Sequence, residues 1–318
     1  MTSRRVLVTG ATGFVGEAVV LRLLRDRVIA PVAAVRGASR LSGLCSTVFI
    51  DLSSSKELPE LKQIDVVVHA AARVHVMKEM ESDALLAFRK INVEGTLRLA
   101  RKAAESGVRR FVFISSIKVN GEETLPGRPF RADDIPAPRD PYGISKKEAE
   151  EALMNLGRET GMEIVIIRPP LVYGPGVKAN FYRMMCVLTK RLPLPLGAIE
   201  NRRSLVGINN LVDLIVTCID HVAAKNQTFL VSDGRDMSTS ELLRCLQATI
   251  GGKALLIAFP ESLLRAVLKL FRMGSVVQRL CGSLQVDISA TREVLGWSAP
   301  YSPEDELKKT ALKFIESR

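Results

Sequence analysis

Residues 6–16 read Val6-Leu7-Val8-Thr9-Gly10-Ala11-Thr12-Gly13-Phe14-Val15-Gly16, an apolar run followed at once by three glycines in the spacing G-x-x-G-x-x-G. An amphipathic helical pattern follows at 17–24. A buried strand, a glycine-rich turn and a helix in this order direct backbone N–H groups at a pyrophosphate. Because glycines also serve ordinary tight turns, the flanking strand and helix carry the inference. The stretch predicts a dinucleotide site formed by Gly10, Thr12, Gly13, Phe14, Val15 and Gly16.

A second pattern is the pair Tyr142 and Lys146 in Tyr142-Gly143-Ile144-Ser145-Lys146. A helix places residues i and i+4 on one face, so the ammonium of Lys146 can lie beside the phenol of Tyr142 and favour its phenolate. Such a phenol donates and accepts a proton near neutral pH. Combined with a dinucleotide site, the pair predicts redox chemistry on a carbonyl.

The composition is that of a globular protein. The chain has 318 residues, 47% hydrophobic and 25% charged, enough for one large or two modest domains. No apolar run reaches the roughly 18 residues of a membrane-spanning helix, and the N-terminus does not match a secretory signal, so we expect a cytoplasmic location. With three histidines, and five cysteines that lack a C-x-x-C pair, we expect reduced thiols and no metal site.

The formal net charge is +11, which raises the question of an anionic partner. Because the basic residues are spread along the chain and aromatic residues make up 5% of it, we do not expect nucleic-acid binding. The segment 255–284 is rich in leucine and carries Arg265, Lys269, Arg272 and Arg279. Contact with an acidic membrane surface is one interpretation of this segment. Burial under a second lobe or at a subunit interface is commoner for such patterns and is favoured.

β and α patterns alternate through the first half of the sequence. Apolar runs typical of buried parallel strands lie at 6–8, 32–35, 65–69, 111–115 and 164–168, with helical patterns at 84–104 and 145–160. This alternation predicts an α/β fold with a Rossmann doubly wound parallel sheet over residues 1–170. Beyond Pro169-Pro170, helices are predicted at 211–223 and 239–250 and a strand at 228–232. Residues 171–318 are predicted to form a smaller C-terminal α/β substrate-binding lobe, partly interleaved with the first domain.

These motifs together resemble those of the extended short-chain dehydrogenase/reductase family, in particular its nucleotide-sugar epimerase, dehydratase and reductase branch. The resemblance covers nearly the whole chain. In sequence order, it is carried by the Gly10/Gly13/Gly16 loop, Asp51-Leu52, His69-Ala70-Ala71-Ala72, Asn92-Val93-Glu94-Gly95-Thr96, Ser115-Ser116, the Tyr142/Lys146 pair and Arg168-Pro169-Pro170-Leu171-Val172-Tyr173-Gly174.

The resemblance implies further cofactor contacts. Asp51 matches the acid that accepts a hydrogen bond from the adenine amino group, with Leu52 donating its backbone N–H, although a turn is the alternative role for Asp51. Ala70 and Ala71 are expected to line the cofactor, and His69 is expected in the core. The remaining implied cofactor residues are Ala72, Asn92, Tyr142, Lys146 and Pro169.

The resemblance also implies catalytic and substrate-binding residues. Ser116 matches a hydroxyl that hydrogen-bonds the reacting sugar oxygen, while Tyr142 moves the proton and Lys146 also holds the nicotinamide ribose. Arg203 resembles an arginine that binds the diphosphate of a UDP-sugar. Asn180 matches a second phosphate contact, with a helix cap as its alternative role. Lys118, close to Ser116, completes the expected substrate-binding set.

Two parts of the substrate site stay open at this stage. The family's usual His-Val-Asp is replaced by Gly207-Ile208-Asn209, so the roles of those side chains are not transferred. A late basic contact falls at Arg279 or Arg292, and the sequence does not choose between them.

The end of the second predicted strand bears on the choice of cofactor. NAD-binding folds usually offer a carboxylate there to the adenine ribose, whereas this chain has Arg36 and Arg40 and no acid between them. Two guanidinium groups suit a 2′-phosphate. The sequence therefore favours NADP(H), with NAD(H) as the alternative.

Three functions remain after this comparison of motifs. Dehydratases of the branch carry Thr-Asp-Glu where this chain has Ser116-Ile117-Lys118, which argues against dehydration. The favoured function is reduction of a UDP-4-keto-6-deoxy-N-acetylhexosamine to a quinovosamine or fucosamine nucleotide for surface polysaccharide. The alternatives are a UDP-hexose or UDP-N-acetylhexosamine 4-epimerase with tightly bound NAD, and a non-catalytic dinucleotide sensor. A homodimer is expected, paired through the helices near 85–104 and 145–157.

Overall fold

The structure is a computed structural model that describes residues 4–74, 81–125, 127–271 and 273–318. Its strands, in chain order, are β1 (Arg4–Thr9), β2 (Ile29–Val35), β3 (Ser46–Phe49), β4 (Val66–His69), β5 (Arg110–Ile114), β6 (Glu163–Arg168), β7 (Leu171–Tyr173), β8 (Pro193–Leu194), β9 (Leu205–Gly207), β10 (Gln227–Leu230) and β11 (Leu255–Leu256). Its α-helices are α1 (Phe14–Asp26), α2 (Glu81–Arg89), α3 (Thr96–Glu105), α4 (Pro141–Thr160), α5 (Ala179–Leu188), α6 (Ile208–Asp220), α7 (Thr239–Ile250), α8 (Glu261–Leu270), α9 (Gly274–Cys281), α10 (Ser289–Leu295) and α11 (Pro303–Glu316).

Seven parallel strands form the central sheet, in the order β10-β6-β5-β4-β1-β2-β3. The order reverses direction at β1, which pairs with β2 on one side and with β4 on the other. Ligands of such sheets bind at the carboxyl ends of the strands near this reversal. The predicted Rossmann-type α/β class is confirmed.

Both faces of the sheet are covered, because successive side chains of a strand point to opposite sides. Val6 and Val8 of β1 pack in one core with side chains of α1 and α6, while Leu7 packs in a second core with side chains of α3 and α4. Strands buried on both faces explain the continuous apolar runs that predicted them.

The C-terminal part of the chain contributes to the same sheet and also builds a lobe of its own. β10 pairs with β6 at the edge of the central sheet, and α6 packs on the core beside α1. A separate core forms between α5, α7 and α11, around Phe181, Leu243 and Phe314. The two small parallel sheets, β7 with β9 and β8 with β11, belong to this part. The domain limits at residues 170 and 171 stay a prediction.

Two elements of the central domain differ from the predicted pattern. β3, which ends just before Asp51, is absent from the predicted apolar runs because most of its side chains are exposed. The helix predicted at 84–104 is interrupted by a π-helical turn at Lys90–Gly95, which separates α2 from α3. Gly95 lies in this turn at a close backbone contact, since a Cβ there would come within 2.9 Å of the carbonyl oxygen of Leu52.

Candidate active site

The glycine turn lies at the carboxyl end of β1 and opens α1. Gly10 has a φ of +65°, and a Cβ on it would lie 2.7 Å from the backbone nitrogen of Ala71. A Cβ on Gly16 would lie 2.2 Å from the carbonyl oxygen of Gly10. Gly13 is the N-cap of α1 and brings no capping side chain, so the first N–H groups of the helix remain available to an anion. This turn therefore has the form that a dinucleotide pyrophosphate requires.

A cavity of about 640 Å³ lies against this turn. It is lined by most of the residues assigned to the cofactor from sequence, namely Gly10, Thr12, Gly13, Phe14, Val15, Gly16, Arg36, Asp51, Leu52, Ala70, Ala71 and Ala72. These residues come from the ends of β1, β2 and β4 and from the turn after β3. The site thus fits a dinucleotide cofactor in position and in lining.

Asp51 combines the two roles considered for it. Its carboxylate accepts hydrogen bonds from the hydroxyl of Ser53 at 2.7 Å and from the N–H of Ser53 at 3.0 Å, which close a local turn. These bonds, with smaller contributions from Arg36 and Arg98, lower the pKa of Asp51. The carboxylate also lines the cavity and stays ionised at neutral pH.

Arg36 and Arg40 have different neighbours in the structure. Arg36 lines the cavity, whereas Arg40 forms an ion pair with Glu17 of α1 and lines the adjoining cavity. Their joint contact with one phosphate stays a prediction.

Asn92 and Pro169 have structural contacts, and their predicted cofactor contacts stay predictions. Asn92 lies in the π-helical turn, accepts a hydrogen bond from the N–H of Arg73 at 2.8 Å and donates to the hydroxyl of Ser145 at 3.0 Å. Pro169 is buried, and its carbonyl accepts from the N–H of Ile117 at 3.0 Å. Neither residue lines the 640 Å³ cavity. The π-helical turn, which the sequence did not predict, is what directs Asn92 towards α4.

His69 is a core residue, as the sequence indicated. Its Nδ1 lies 2.6 Å from the hydroxyl of Thr9 and its Nε2 lies 2.9 Å from the hydroxyl of Thr96. Burial, with a smaller effect of Lys146, lowers the pKa of His69 to about 3. The ring is neutral at physiological pH and joins β1 and β4 to α3.

Ser116 and Tyr142 lie close to each other where α4 begins beside the end of β5. Ser116 is near enough to the phenol of Tyr142 to lower its pKa, and the ring of Tyr142 packs edge-on against Phe88 with centroids 5.9 Å apart. Lys146 is buried one turn further along α4 and donates to the carbonyl of Ile114 at 2.8 Å. The structure places Ser116 beside Tyr142, and the catalytic roles of the three residues stay a prediction.

The pKa values in this cluster differ from the prediction of a phenol that titrates near neutral pH. Burial, and then the charge of Asp140, raise the pKa of Tyr142, and Ser116 lowers it only in part. Burial lowers the pKa of Lys146 to about 7. Lys146 is thus only partly charged at neutrality, and it is not among the groups that shift the pKa of Tyr142.

Asp140 was missed in the sequence analysis although its signal was present. It is the N-cap of α4, accepts from the N–H of Gly143 at 2.7 Å, and is followed by Pro141 at the first helical position. An acid followed by proline at a helix start is a recognised capping pattern. Asp140 also forms an ion pair with Lys118, so the amine of Lys118 is engaged in the structure beside the predicted substrate site.

Arg203 and Asn180 lie in the C-terminal lobe in different settings. Arg203 is half-buried, and its guanidinium donates to the carbonyl of Gly282 at 3.0 Å and to that of Arg279 at 3.4 Å. Arg203 contacts Arg279 through its backbone carbonyl, so the choice between the side chains of Arg279 and Arg292 stays open. Asn180 is exposed near the start of α5, whose N-cap is Lys178, so the alternative role of Asn180 as the cap does not hold.

A second cavity, of about 1010 Å³, adjoins the glycine turn and includes Asn180. It shares Thr12, Gly13 and Phe14 with the first cavity. Its lining contains one acid, Glu17, and a larger number of cations, Arg22, Arg25, Arg40, Lys178 and Lys313. Positive charge on this side of the turn favours the approach of anionic ligands.

The unusual Gly207-Ile208-Asn209 sequence has an explanation in α11. A Cβ on Gly207 would lie 2.7 Å from Cγ of Glu306, a buried acid that sequence reasoning did not find. The amide of Asn209 donates to Glu306 at 2.9 and 3.0 Å. A carboxylate at residue 209 would repel Glu306, and a larger residue at 207 would collide with it.

Among the described residues, no group of three or more His, Cys, Asp or Glu side chains could hold a metal ion. The expectation that the protein uses no metal stays a prediction. No helix in the described part of the chain is long and apolar enough to cross a membrane.

Comparison with known proteins reveals close relatives over the whole length. The sequence model of the NAD dependent epimerase/dehydratase family matches residues 6–232. A UDP-glucose 4-epimerase of Vibrio cholerae is 50% identical over 317 residues, which are 99% of this chain and 96% of that protein. Two solved structures share the fold: a UDP-glucose 4-epimerase of Thermotoga maritima, with a TM-score of 0.77 and 22% identity, and a UDP-N-acetylglucosamine 4-epimerase of Bacillus cereus, with a TM-score of 0.79 and 20% identity. The alignments cover 98% and 99% of this chain and 99% and 100% of those chains.

Proposed function

This chain belongs to the NAD dependent epimerase/dehydratase family, and we propose that it is a 4-epimerase acting on a UDP-hexose or UDP-N-acetylhexosamine. The observation that carries the proposal is the 50% identity with the Vibrio cholerae UDP-glucose 4-epimerase over almost the full length of both chains. The family resemblance inferred from the motifs is confirmed. Epimerisation is now preferred to reduction, whereas the sequence analysis favoured reduction.

The proposed chemistry is oxidation and re-reduction of one sugar carbon. When held at the glycine turn, NAD would supply reversible hydride chemistry at C4, and return of the hydride to the opposite face of that carbon would give the epimer. Ser116 positions the C4 oxygen, and Tyr142 takes up and returns its proton. Ser116 lowers the pKa of the phenol while Asp140 raises it, so these two neighbours change its proton affinity in opposite directions.

Substrate binding is assigned to the C-terminal lobe. Arg203 and Asn180 are proposed to bind the diphosphate, and Lys118 to contact the sugar beside Ser116. The positive lining of the 1010 Å³ cavity next to Asn180 supports an anionic ligand on this side of the molecule. Lys118 would have to exchange its ion pair with Asp140 for a substrate contact.

We propose NAD as the cofactor, held at the glycine turn and at Asp51. Support comes from the family, and Arg36 lines the cavity beside Asp51. The same Arg36, with no carboxylate at the end of β2, favours a second candidate, the NADPH-dependent 4-keto reductase. A cytoplasmic homodimer that serves surface polysaccharide synthesis is a further part of the proposal.

The decisive experiment omits added cofactor. Purified protein is incubated with UDP-glucose or UDP-N-acetylglucosamine, and the C4 configuration is followed by NMR, with Tyr142→Phe as the control. The proposal expects interconversion of the C4 epimers by the wild type and a loss of about 10²–10⁴-fold in the variant. Oxidation of added NADPH by the UDP-4-keto-6-deoxy sugar, without interconversion of either hexose, would establish the reductase instead.

A further inference from the structure

A buried carboxylate lies on α4 one turn beyond Lys146. Glu150 follows Lys146 at the spacing i+4, which places both side chains on one face of the helix. Lys146, Glu150 and the partner of Glu150, Arg168, expose only 1, 4 and 5% of their surface. Of these three buried charged residues, the proposed chemistry uses only Lys146.

Arg168 holds the carboxylate of Glu150 in place. Its Nε donates to Oε1 and Oε2 of Glu150 at 3.0 and 3.2 Å, and its Nη2 donates to Oε2 at 2.6 Å. Its Nη1 donates to Oδ1 of Asn120 at 3.0 Å. A guanidinium fork of this kind fixes the position of a carboxylate and supplies the counter-charge that a buried acid requires.

The central sheet brings this ion pair close to the contact that holds the Lys146 amine. The amine donates to the carbonyl of Ile114 at 2.8 Å and lies 4.3 Å from the centre of the Phe113 ring. Ile114 of β5 is paired with Ile167 of β6, the residue before Arg168. The amine and the ion pair therefore lie at the carboxyl ends of two neighbouring strands, under the same helix.

The charge of Lys146 depends on Glu150. Burial lowers the pKa of the Lys146 amine to about 7, and the charge of Glu150 opposes that effect, whereas Arg168 is not among the groups that shift this pKa. The titratable neighbours Tyr142 on α4 and His69 at the end of β4 favour their neutral forms, because burial raises the pKa of the phenol and lowers that of the imidazole to about 3.

Charged side chains on other elements next to α4 form ion pairs of their own. These pairs are Arg89 of α2 with Glu148, Lys102 of α3 with Glu60, and Lys118 with Asp140. Among the described residues, Glu150 is thus the anion whose charge favours the ammonium form of Lys146.

We propose that Glu150, held by Arg168, is a positioning residue of the active site that keeps the buried amine of Lys146 charged. The inference rests on the proposed function, in which Lys146 is expected to hold the nicotinamide ribose. A charged amine donates stronger hydrogen bonds than a neutral one, so loss of the charge would weaken this contact.

The first test measures the titration of Lys146 itself. Lysine labelled with carbon-13 at Cε is followed by NMR in the protein as purified, and Lys146→Met assigns the signal. In Glu150→Gln the midpoint should fall by roughly one pH unit or more, because the charge that favours the ammonium is gone. Glu148→Gln is the matched control: it removes a carboxylate of the same helix that also binds an arginine at 2.6 Å, and it should leave the midpoint unchanged.

A second variant separates this role from support of the fold. Glu150→Gln alone leaves the guanidinium of Arg168 buried without its counter-ion, so the Tm should fall. Glu150→Gln combined with Arg168→Met removes both charges and should regain much of the Tm, because a buried ion pair can be replaced by neutral side chains. The midpoint of Lys146 should nevertheless stay below that of the wild type.

Epimerisation gives the functional measurement. The alkaline limb of the pH profile of kcat should move to lower pH in both Glu150 variants, together with the midpoint of Lys146, and should stay in place in Glu148→Gln. An unchanged midpoint in both variants, a wild-type midpoint in the double variant, or a shifted midpoint with an unmoved pH profile would overturn the inference. If the wild type epimerises neither UDP-sugar, the proposed function fails, and the midpoint alone decides whether Glu150 sets the charge of Lys146.

Discussion

Around Tyr142, the ionisable groups respond mainly to burial, and neighbouring charges act second. Burial is the largest influence on the phenol of Tyr142, on the amine of Lys146 and on the imidazole of His69. In each case burial disfavours the charged form, so the folded protein favours the neutral form of all three groups. The neighbouring charges of Asp140 and Lys146 then modify the effect of burial.

Asp140 is a point at which the acid–base chemistry can be shifted without touching the proposed reacting groups. Asp140→Asn keeps a capping side chain but removes the charge that raises the pKa of Tyr142, and it frees the cation of Lys118 nearby. We expect the pH profile of kcat/KM to shift towards lower pH. Asp133→Asn, an exposed acid that contacts Arg131, is the control and should leave the profile in place. An unchanged pH profile in Asp140→Asn would show that Asp140 acts only as the N-cap of α4.

His69 should make the fold sensitive to acid. Its pKa is about 3 in the folded protein and 6.5 in the ordinary state, so below pH 6.5 the unfolded chain binds a proton that the folded chain does not. Stability contributed by the neutral ring is therefore present above pH 6.5 and falls by about 1.4 kcal/mol per pH unit towards pH 3. The measurement is the free energy of unfolding against pH for the wild type and for His69→Gln, which does not titrate there. Parallel profiles for the two proteins would contradict this prediction.

Between elements, the joint of β9, α6 and α11 shows how one buried acid constrains distant parts of the chain. Glu306 of α11 occupies the space beside Gly207 and accepts hydrogen bonds from Asn209 at the start of α6. Next to it, Asp233 accepts from the hydroxyl of Tyr173 at 2.7 Å and from the N–H of Gly207 at 2.8 Å. Polar groups buried in this joint are paired across three elements, which fixes the lobe on the end of the sheet.

Gly207→Ala should destabilise the protein through Glu306 specifically. The added methyl would lie within 3.0 Å of Cγ, Oε2 and Cβ of Glu306, and overpacking of this kind costs about 1–3 kcal/mol. In a Glu306→Ala background the same change should cost much less, because the colliding side chain is gone. Urea unfolding of the two single variants and the double variant measures this coupling. Gly43→Ala, where a Cβ meets nothing within 4 Å, is the matched control, and additive costs would refute the explanation.

In the whole molecule, the two parts of the chain share one sheet and one core. β10 completes the central sheet beside β6, and Leu211, Ile215 and Phe229 pack in the same core as Val6 and Val8. The buried ion pair between Arg168 and Glu150, at 2.6 Å, joins the end of β6 to α4. It lies on the strand that pairs with β10. Because these contacts join residues that are far apart in the sequence, folding of one part of the chain depends on the other.

A fragment of residues 1–170 should therefore not fold cooperatively. Without α6 and β10, one face of the sheet would expose Val6, Val8 and Val165, which are fully buried in the intact chain. We expect a broad thermal transition and rapid proteolysis of the fragment, against a sharp transition of the full chain. A fragment with a sharp transition and NAD binding would instead support an independent first domain.

The sequence by itself determined the class of fold, the glycine turn and the place of Tyr142 and Lys146 on one helix. These are local signals: a strand's apolar run, a fixed spacing of glycines, and the periodicity of a helix that places residues 142 and 146 on one face. Only the tertiary structure decided that Glu306 occupies the space beside Gly207, that Arg40 pairs with Glu17, and that Tyr142 has a raised pKa. Each of these depends on which distant segments pack together and on how much water they exclude, and neither quantity is encoded in the spacing of neighbouring residues.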